Sequence, residues 1–240
     1  MIDVRSIRET VLVSARWTSG RSRSGRAATV AGPFEAHMRD AIALNAARAA
    51  HYAALSDGAS LPLSRRLVRI ETRLIPLARW LDRQARPYHE VGIPLLRAVF
   101  EPMSSAPPPG ACEAIAIPSN HFAPLTATIR RNVRDAYRQA GFDGAARALE
   151  MELALLTRLP AVDCMVRHML ESARRVASLA PQHATMAQSR GLSSPEWISR
   201  VLLELHLLAL PIAASLDADA LAVQVTGVPI LAADLPVITA

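Results

Sequence analysis

Two histidine–acid pairs occupy corresponding places in two similar stretches of the chain. His37 and Asp40 are three residues apart, and so are His168 and Glu171. Residues at this spacing share one face of a helix, and imidazole and carboxylate groups are ligands for iron and manganese. The pattern therefore predicts two pairs of metal ligands on two helices.

Glu71 and His206 extend this candidate metal site, because each lies in the apolar stripe of a predicted helix. A charge isolated there is very costly, so it requires a partner, a proton or a cation. Di-iron and di-manganese bundles place a related ligand set on four helices, although here the motif order is reversed. One hypothesis is a metal-dependent oxidase or oxygenase with iron or manganese between two halves of the chain. The alternative is that these groups form hydrogen-bonded pairs within the core.

Arginine provides all 27 basic side chains, and the net charge is +6. Arg130, Arg134 and Arg138 recur every four residues on a predicted helix and are joined by Arg131. Residues 1–30 form a basic arm without helical periodicity, and its candidate anion-binding residues are Arg5, Arg8, Arg21, Arg23 and Arg26. Arginine contacts to phosphate dominate nonspecific affinity for nucleic acid. The leading hypothesis is thus a non-enzymatic binding or assembly protein without a cofactor, with nucleic acid as its anionic partner; a solvated helix face is the alternative.

Several other classes of protein lack support in the sequence. It contains no Gly-rich phosphate loop, no Gly-x-Ser-x-Gly, no His-Glu-x-x-His and no CxxC motif. The N terminus lacks the apolar segment of a signal peptide. The most apolar run, 201–213, is too short to span a bilayer. We therefore expect a cytoplasmic protein without a membrane span. Two further alternatives are a homo-oligomer and a small-molecule-binding protein with its site between the two halves of the chain.

An all-α fold is predicted from the composition and from the apolar periodicity. Apolar residues make up 51% of the chain but aromatic residues only 4%, so Leu, Ala, Val and Ile must build the core. This composition favours helices. The predicted helices cover residues 33–57, 124–140, 143–159, 161–180 and 195–223, and a further one begins near residue 60 with an apolar stripe from Leu67 to Leu81. Gly141 separates the helix at 124–140 from the one at 143–159.

An internal duplication is the main architectural prediction. Residues 64–98 align without gaps with residues 199–233, and 12 of the 35 positions are identical, including Pro76 with Pro211. The predicted organisation is a first helical copy at 31–103, a Pro-rich connector at 104–123 and a second copy at 124–240, all packed as one bundle. The Gly-x-Pro tails at 93–100 and 228–235 are candidates for a small two-stranded ribbon.

Overall fold

A computed structural model describes residues 32–96, 122–156 and 164–224, together with residues 227, 228, 230 and 231. Within these ranges the chain forms five α-helices and no strand, which confirms the all-α bundle. The helices are α1 (Pro33–Leu55), α2 (Leu61–Glu90), α3 (Phe122–Leu156), α4 (Cys164–Ser189) and α5 (Glu196–Gln224). The basic arm and most of the connector lie outside the described residues.

Local sequence signals account for most helix boundaries. Pro33 occupies the first turn of α1, where its missing N–H group costs nothing. Asp57 and Gly58, both with positive φ, follow the end of that helix. In α3 the helical geometry is interrupted at Ala140 and at Gly141, where φ is 58° and ψ is −145°. Two helical segments therefore meet at the glycine, as the sequence predicts.

Helix α4 differs from its prediction, because it continues through Pro181 to Ser189 instead of ending at Ala180. A proline inside a helix removes a hydrogen bond and crowds the preceding turn, at a cost of about 3 kcal/mol. The turns on either side of Pro181 are nevertheless buried, since Ala180 and His183 are at most 4% exposed. Burial of these turns offsets the cost of the proline.

The helices assemble as two hairpins, α1–α2 and α4–α5, and a further helix, α3, that packs on the second hairpin. Helix α1 packs against α2, α4 packs against α5, and α3 lies against α4 and α5. Helices α2 and α5 run antiparallel: Tyr88 hydrogen-bonds Ser193 at one end (3.3 Å), and Arg66 donates to Ser215 at the other (3.0 Å). This arrangement puts the middle of α2 beside the middle of α5.

Two apolar clusters lie at opposite ends of the α2–α5 pair. The larger one joins the C-terminal half of α2 to α3, α4 and the first half of α5, with Leu81, Leu149 and Leu170 fully buried. The smaller one joins the first turns of α2 to the end of α5 through residues such as Leu67 and Leu216. Because both clusters contain α2 and α5, the described helices form one bundle.

Asp82 ties the N terminus of α1 to the side of α2. Its two carboxyl oxygens accept hydrogen bonds from the backbone N–H groups of Phe34 (3.0 Å) and Glu35 (2.9 Å), which have no acceptor within their own helix. Gly32 lets the chain approach this closely, since a Cβ atom there would lie 2.2 Å from the Asp82 carboxyl carbon. A side chain on one helix thus caps its neighbour.

Asp217 makes the same contact in the other half of the chain. It accepts hydrogen bonds from the backbone N–H groups of Met165 and Val166, at the start of α4, both at 2.9 Å. Asp82 and Asp217 are 8% and 7% exposed, so both caps are buried. The two aspartates are aligned in the 64–98 and 199–233 segments. The matched caps support the duplication, which itself stays a prediction.

Asp217 should make stability depend on pH. Burial raises the pKa of its carboxyl to about 7, against the lowering effect of the Met165 and Val166 N–H groups. At this carboxyl, between about pH 4 and pH 7, the folded chain therefore holds a proton that the unfolded chain has lost, so the contribution of Asp217 to the free energy of unfolding falls as pH rises. Asp217→Asn cannot titrate, so we expect its urea-unfolding free energy to decline less over this range. A decline equal to that of the wild type would contradict the assignment.

The apolar tails begin alike after α2 and α5. Gly92 and Gly227 both have positive φ, and a tight turn follows each glycine. In the first turn the Leu95 N–H donates to the Ile93 carbonyl, and in the second the Ile230 N–H donates to the Val228 carbonyl, both at 2.9 Å. The described tail residues pack in different clusters: Ile93, Leu95 and Leu96 in the larger, Val228, Ile230 and Leu231 in the smaller. The remaining tail residues lie outside the described ranges, so the predicted ribbon stays a prediction.

Helix α5 is long and apolar enough to cross a membrane, judged by length and composition alone. It includes the 201–213 run that the sequence analysis considered too short, and its 29 residues extend that run on both sides. Half of its most apolar window is buried inside the protein, and the core helix of a soluble protein meets the same criterion. The finding is weak evidence for a membrane span.

Candidate nucleic-acid interface

His37 of α1 and His206 of α5 both lie close enough to His168 of α4 to affect its protonation. Burial, with smaller contributions from the nearby His206, His37 and Arg175, lowers the pKa of His168, on α4, to about 4. Burial also lowers the pKa of His37 to about 4. His206 has a lowered pKa for the same reason, and its Nδ1 donates to the Leu202 carbonyl at 2.7 Å. These histidines are therefore neutral at physiological pH.

The predicted acidic ligands Asp40, Glu71 and Glu171 lie in three different surroundings. Asp40 is exposed. Glu71 accepts a hydrogen bond from the Asn45 side chain at 2.7 Å. Burial raises the pKa of Glu171, with Arg167, Arg174 and Arg175 opposing the effect. In the part of the chain that the structure describes, no three His, Cys, Asp or Glu side chains form a group that could hold a metal ion.

The predicted arginine face of α3 is partly occupied by protein contacts. Arg134 forms a forked hydrogen-bonded ion pair with Glu204 of α5, with its shortest N–O distance at 2.7 Å. Arg138 pairs with Asp135 at 2.7 Å. Arg130 is partly buried, and burial lowers its pKa, as does the neighbouring charge of Arg134. Arg131 is exposed. The structure thus places Arg130 and Arg134 against the bundle, while Arg131 faces solvent.

A second set of arginines, on α2, is more available to a ligand. The "α2 row" consists of Arg65, Arg69, Arg73 and Arg83, all exposed. The first three lie on successive turns, and Arg83 follows Arg65 by 18 residues, or about five full turns. All four therefore project from one side of the helix. Among the described residues, none of the four forms an ion pair.

The acidic residues of α2 do not neutralise this row. Between Arg65 and Arg83 the helix contains only Glu71 and Asp82 as acids. Asp82 is buried in the cap of α1, and Glu71 is hydrogen-bonded to Asn45 of that helix. Because both carboxyl groups face α1, the outer face of α2 carries no acid between Arg65 and Arg83. Such a face attracts anions over a distance that depends on the salt concentration.

A tryptophan pair adjoins the α2 row. Trp80 of α2 meets Trp197 of α5 edge to face, with ring centroids 5.9 Å apart at 67°. Trp197 is 40% exposed, whereas Trp80 is only partly exposed and packs against the larger cluster. Sites for single-stranded nucleic acid combine cationic side chains, which bind the phosphates, with aromatic rings, on which the bases stack.

No protein-family model, curated protein or solved structure matches this chain. Its function therefore has to be inferred from the chemistry of its own residues. The arginines of the basic arm, Arg5 to Arg26, lie outside the described residues, so their role stays a prediction. The α2 row has the same four-residue spacing as the α3 arginines, and this spacing could have identified it in the sequence. Periodicity could not show whether the arginines of α2 or those of α3 form ion pairs within the protein.

Proposed function

We propose that this protein is a non-enzymatic binding protein whose partner is nucleic acid, engaged through the α2 row. The observation that carries the proposal is the exposure of four arginines on one side of α2, with both acids that lie between them turned toward α1. Guanidinium groups bind phosphate through two parallel hydrogen bonds and stay charged at all physiological pH values. A row of them therefore suits a polyanion better than a single small anion.

The contrast between α2 and α3 supports this choice of surface. In α3, Arg134 is already held by Glu204, and releasing it would leave a half-buried carboxylate without its ion pair. Arg65, Arg69 and Arg73 need to break no ion pair to a described residue before they meet a phosphate. The cost of binding is consequently lower on α2. The basic arm, if it contributes, would add to the same polyanion contact and increase its salt dependence.

Replacing Arg65, Arg69 and Arg73 together with Gln should weaken binding and reduce its salt dependence. Each phosphate contact contributes about 0.9 unit to the slope of log K against log salt for a duplex and about 0.7 unit for a single strand, so the triple variant should lose about two to three units. The measurement is fluorescence anisotropy of a labelled oligonucleotide of about 20 nucleotides, titrated between about 50 and 200 mM NaCl.

A matched control removes the same charge from α3. Arg131, Arg138 and Arg147 are exposed, and their triple Gln variant has the net charge of the α2 variant. We expect it to retain most of the wild-type slope. Equal losses in both variants would show that net charge alone drives binding, and the α2 assignment would be wrong. No measurable binding by the wild-type chain at the lowest salt would remove the proposed function itself.

A further inference from the structure

The indole of Trp197 is the largest exposed aromatic surface among the described residues. The ring is held edge to face against Trp80, so its orientation is fixed by a contact between α5 and α2. Its 40% exposure leaves part of the ring open to solvent. An oriented, accessible indole is well suited to stacking with a planar group.

Helical geometry places this indole pair on the side of α2 that carries the arginines. Trp80 follows Arg73 by seven residues and precedes Arg83 by three. At 1.5 Å per residue these offsets correspond to about 10 Å and about 5 Å along the axis. Seven residues are close to two full helical turns, so Trp80 and Arg73 share a face. Counted from Arg65, the strip of arginines reaches the tryptophan pair after about 22 Å.

Two charged residues of α5, Glu196 and Arg200, lie close to Trp197 in the chain. Glu196 precedes it and is exposed. Burial raises the pKa of Tyr137, on α3, and the charge of Glu196 adds to this effect while that of Arg200 opposes it. Arg200 lies over the ring of that same Tyr137, 5.7 Å from the centroid. Glu196 and Arg200 thus both lie near Tyr137 of α3. Toward α2, Trp197 has the Trp80 ring and, one turn further, Arg83.

We infer that the ligand is single-stranded nucleic acid, with phosphates along Arg65, Arg69 and Arg73 and an unpaired base stacked on Trp197. This inference rests on the proposed function and adds the class of nucleic acid. In a duplex the base faces are covered by their neighbours, and only groove edges and phosphates are accessible. A single strand exposes base faces to aromatic side chains, and stacking tolerates any base because each has a π face. A duplex therefore offers no accessible base face that could stack on Trp197.

The test compares wild type, Trp197→Ala and Trp197→Phe with a single strand of about 12 nucleotides and with the duplex of the same sequence. We expect Trp197→Ala to weaken single-strand binding about 5- to 100-fold, as loss of one stacked base does. Trp197→Phe retains a ring and should recover most of the affinity. Duplex binding, which uses the arginines alone, should change less than about twofold in either variant.

Tryptophan fluorescence supplies a second measurement that reports the stacking itself. The chain has three tryptophans, Trp17, Trp80 and Trp197, and Trp17→Phe removes the emission from the N-terminal arm. Saturation with the single strand should quench the remaining emission, while the duplex should leave it nearly unchanged. Circular dichroism and thermal melting check that each variant is folded, and Trp197→Phe keeps the test valid if Trp197→Ala unfolds.

The outcomes separate this inference from the proposed function. Equal binding of single strand and duplex, with no effect of Trp197→Ala or Trp197→Phe and no quenching, would overturn the single-strand assignment and leave nucleic-acid binding in place. No binding of either probe would remove both. Preference for the single strand with a loss confined to the Ala variant is the result that the geometry requires.

Discussion

The variants Asp82→Ala and Asp217→Ala should each lower the free energy of unfolding by about 2 to 3 kcal/mol, the combined effect of a lost cap and of buried donors without an acceptor. Each aspartate accepts hydrogen bonds from two backbone N–H groups at the start of the preceding helix. Alanine offers no acceptor, and the buried site limits access of water to these groups. Chemical denaturation with urea, followed by circular dichroism, measures the loss.

Asp219→Ala is a matched control for this prediction. Asp219 lies two residues from Asp217 in the same helix but is exposed, and its ion pair with Arg66 lies at the surface. Pairs of this kind contribute at most about 1 kcal/mol. Because the two caps hold different helix pairs, the losses in an Asp82→Ala, Asp217→Ala double variant should add to within about 0.5 kcal/mol. A loss no larger than that of the Asp219 control would contradict the capping role.

The sequence predicted where the helices lie better than it predicted the side-chain contacts between them. Apolar periodicity located five helices and the Gly141 break, since both depend on local spacing and on a backbone conformation that favours glycine. Alignment of the two halves matched Asp82 with Asp217 but could not assign their role. Each cap joins residues about 50 positions apart, and no local pattern encodes such a contact.

For the candidate sites, too, the sequence predicted which residues share a helix face but not which residues from other helices contact them. Arg134 and Glu204 are 70 residues apart in the chain, so spacing within α3 could not reveal that Arg134 already has a partner. The α2 row was visible as a four-residue repeat, but its availability depends on Asp82 and Glu71 facing α1. The alignment of the two halves predicted that His37, His168 and His206 lie in the same region. The hydrogen bond that Asn45 donates to Glu71 was not predicted, because it joins residues 26 positions apart.

These differences have a common physical cause. A helix face is determined by residues three and four positions apart, but the side chains that neutralise it come from whichever helix packs beside it. Exposed and paired arginines therefore have identical sequence patterns. The same holds for Trp197, whose ring would be buried if another element covered the start of α5. Functional surfaces in this protein are defined by what the bundle leaves uncovered.

The bend in α3 should be highly sensitive to Gly144. A Cβ atom at this position would lie 2.3 Å from the backbone carbonyl oxygen of Ala136 and 3.0 Å from the Cβ atom of Ala140. The first contact is with backbone, which cannot move aside as a flexible side chain can. Gly144→Ala should therefore force apart the two segments of α3 and cost about 3 kcal/mol or more, at the upper end of overpacking effects.

Gly141→Ala distinguishes this clash from simple backbone strain. Gly141 has φ of 58°, but a Cβ atom there would meet nothing within 4 Å. Its substitution should cost about 1 to 3 kcal/mol through strain alone. We expect the urea-unfolding free energy to fall further for Gly144→Ala, because the packing of α3 on α4 and α5 is disturbed as well. Since Arg134 in the first segment pairs with Glu204, a bend that opens should also weaken this contact. A Gly144→Ala protein as stable as the wild type would show that the two segments do not approach so closely.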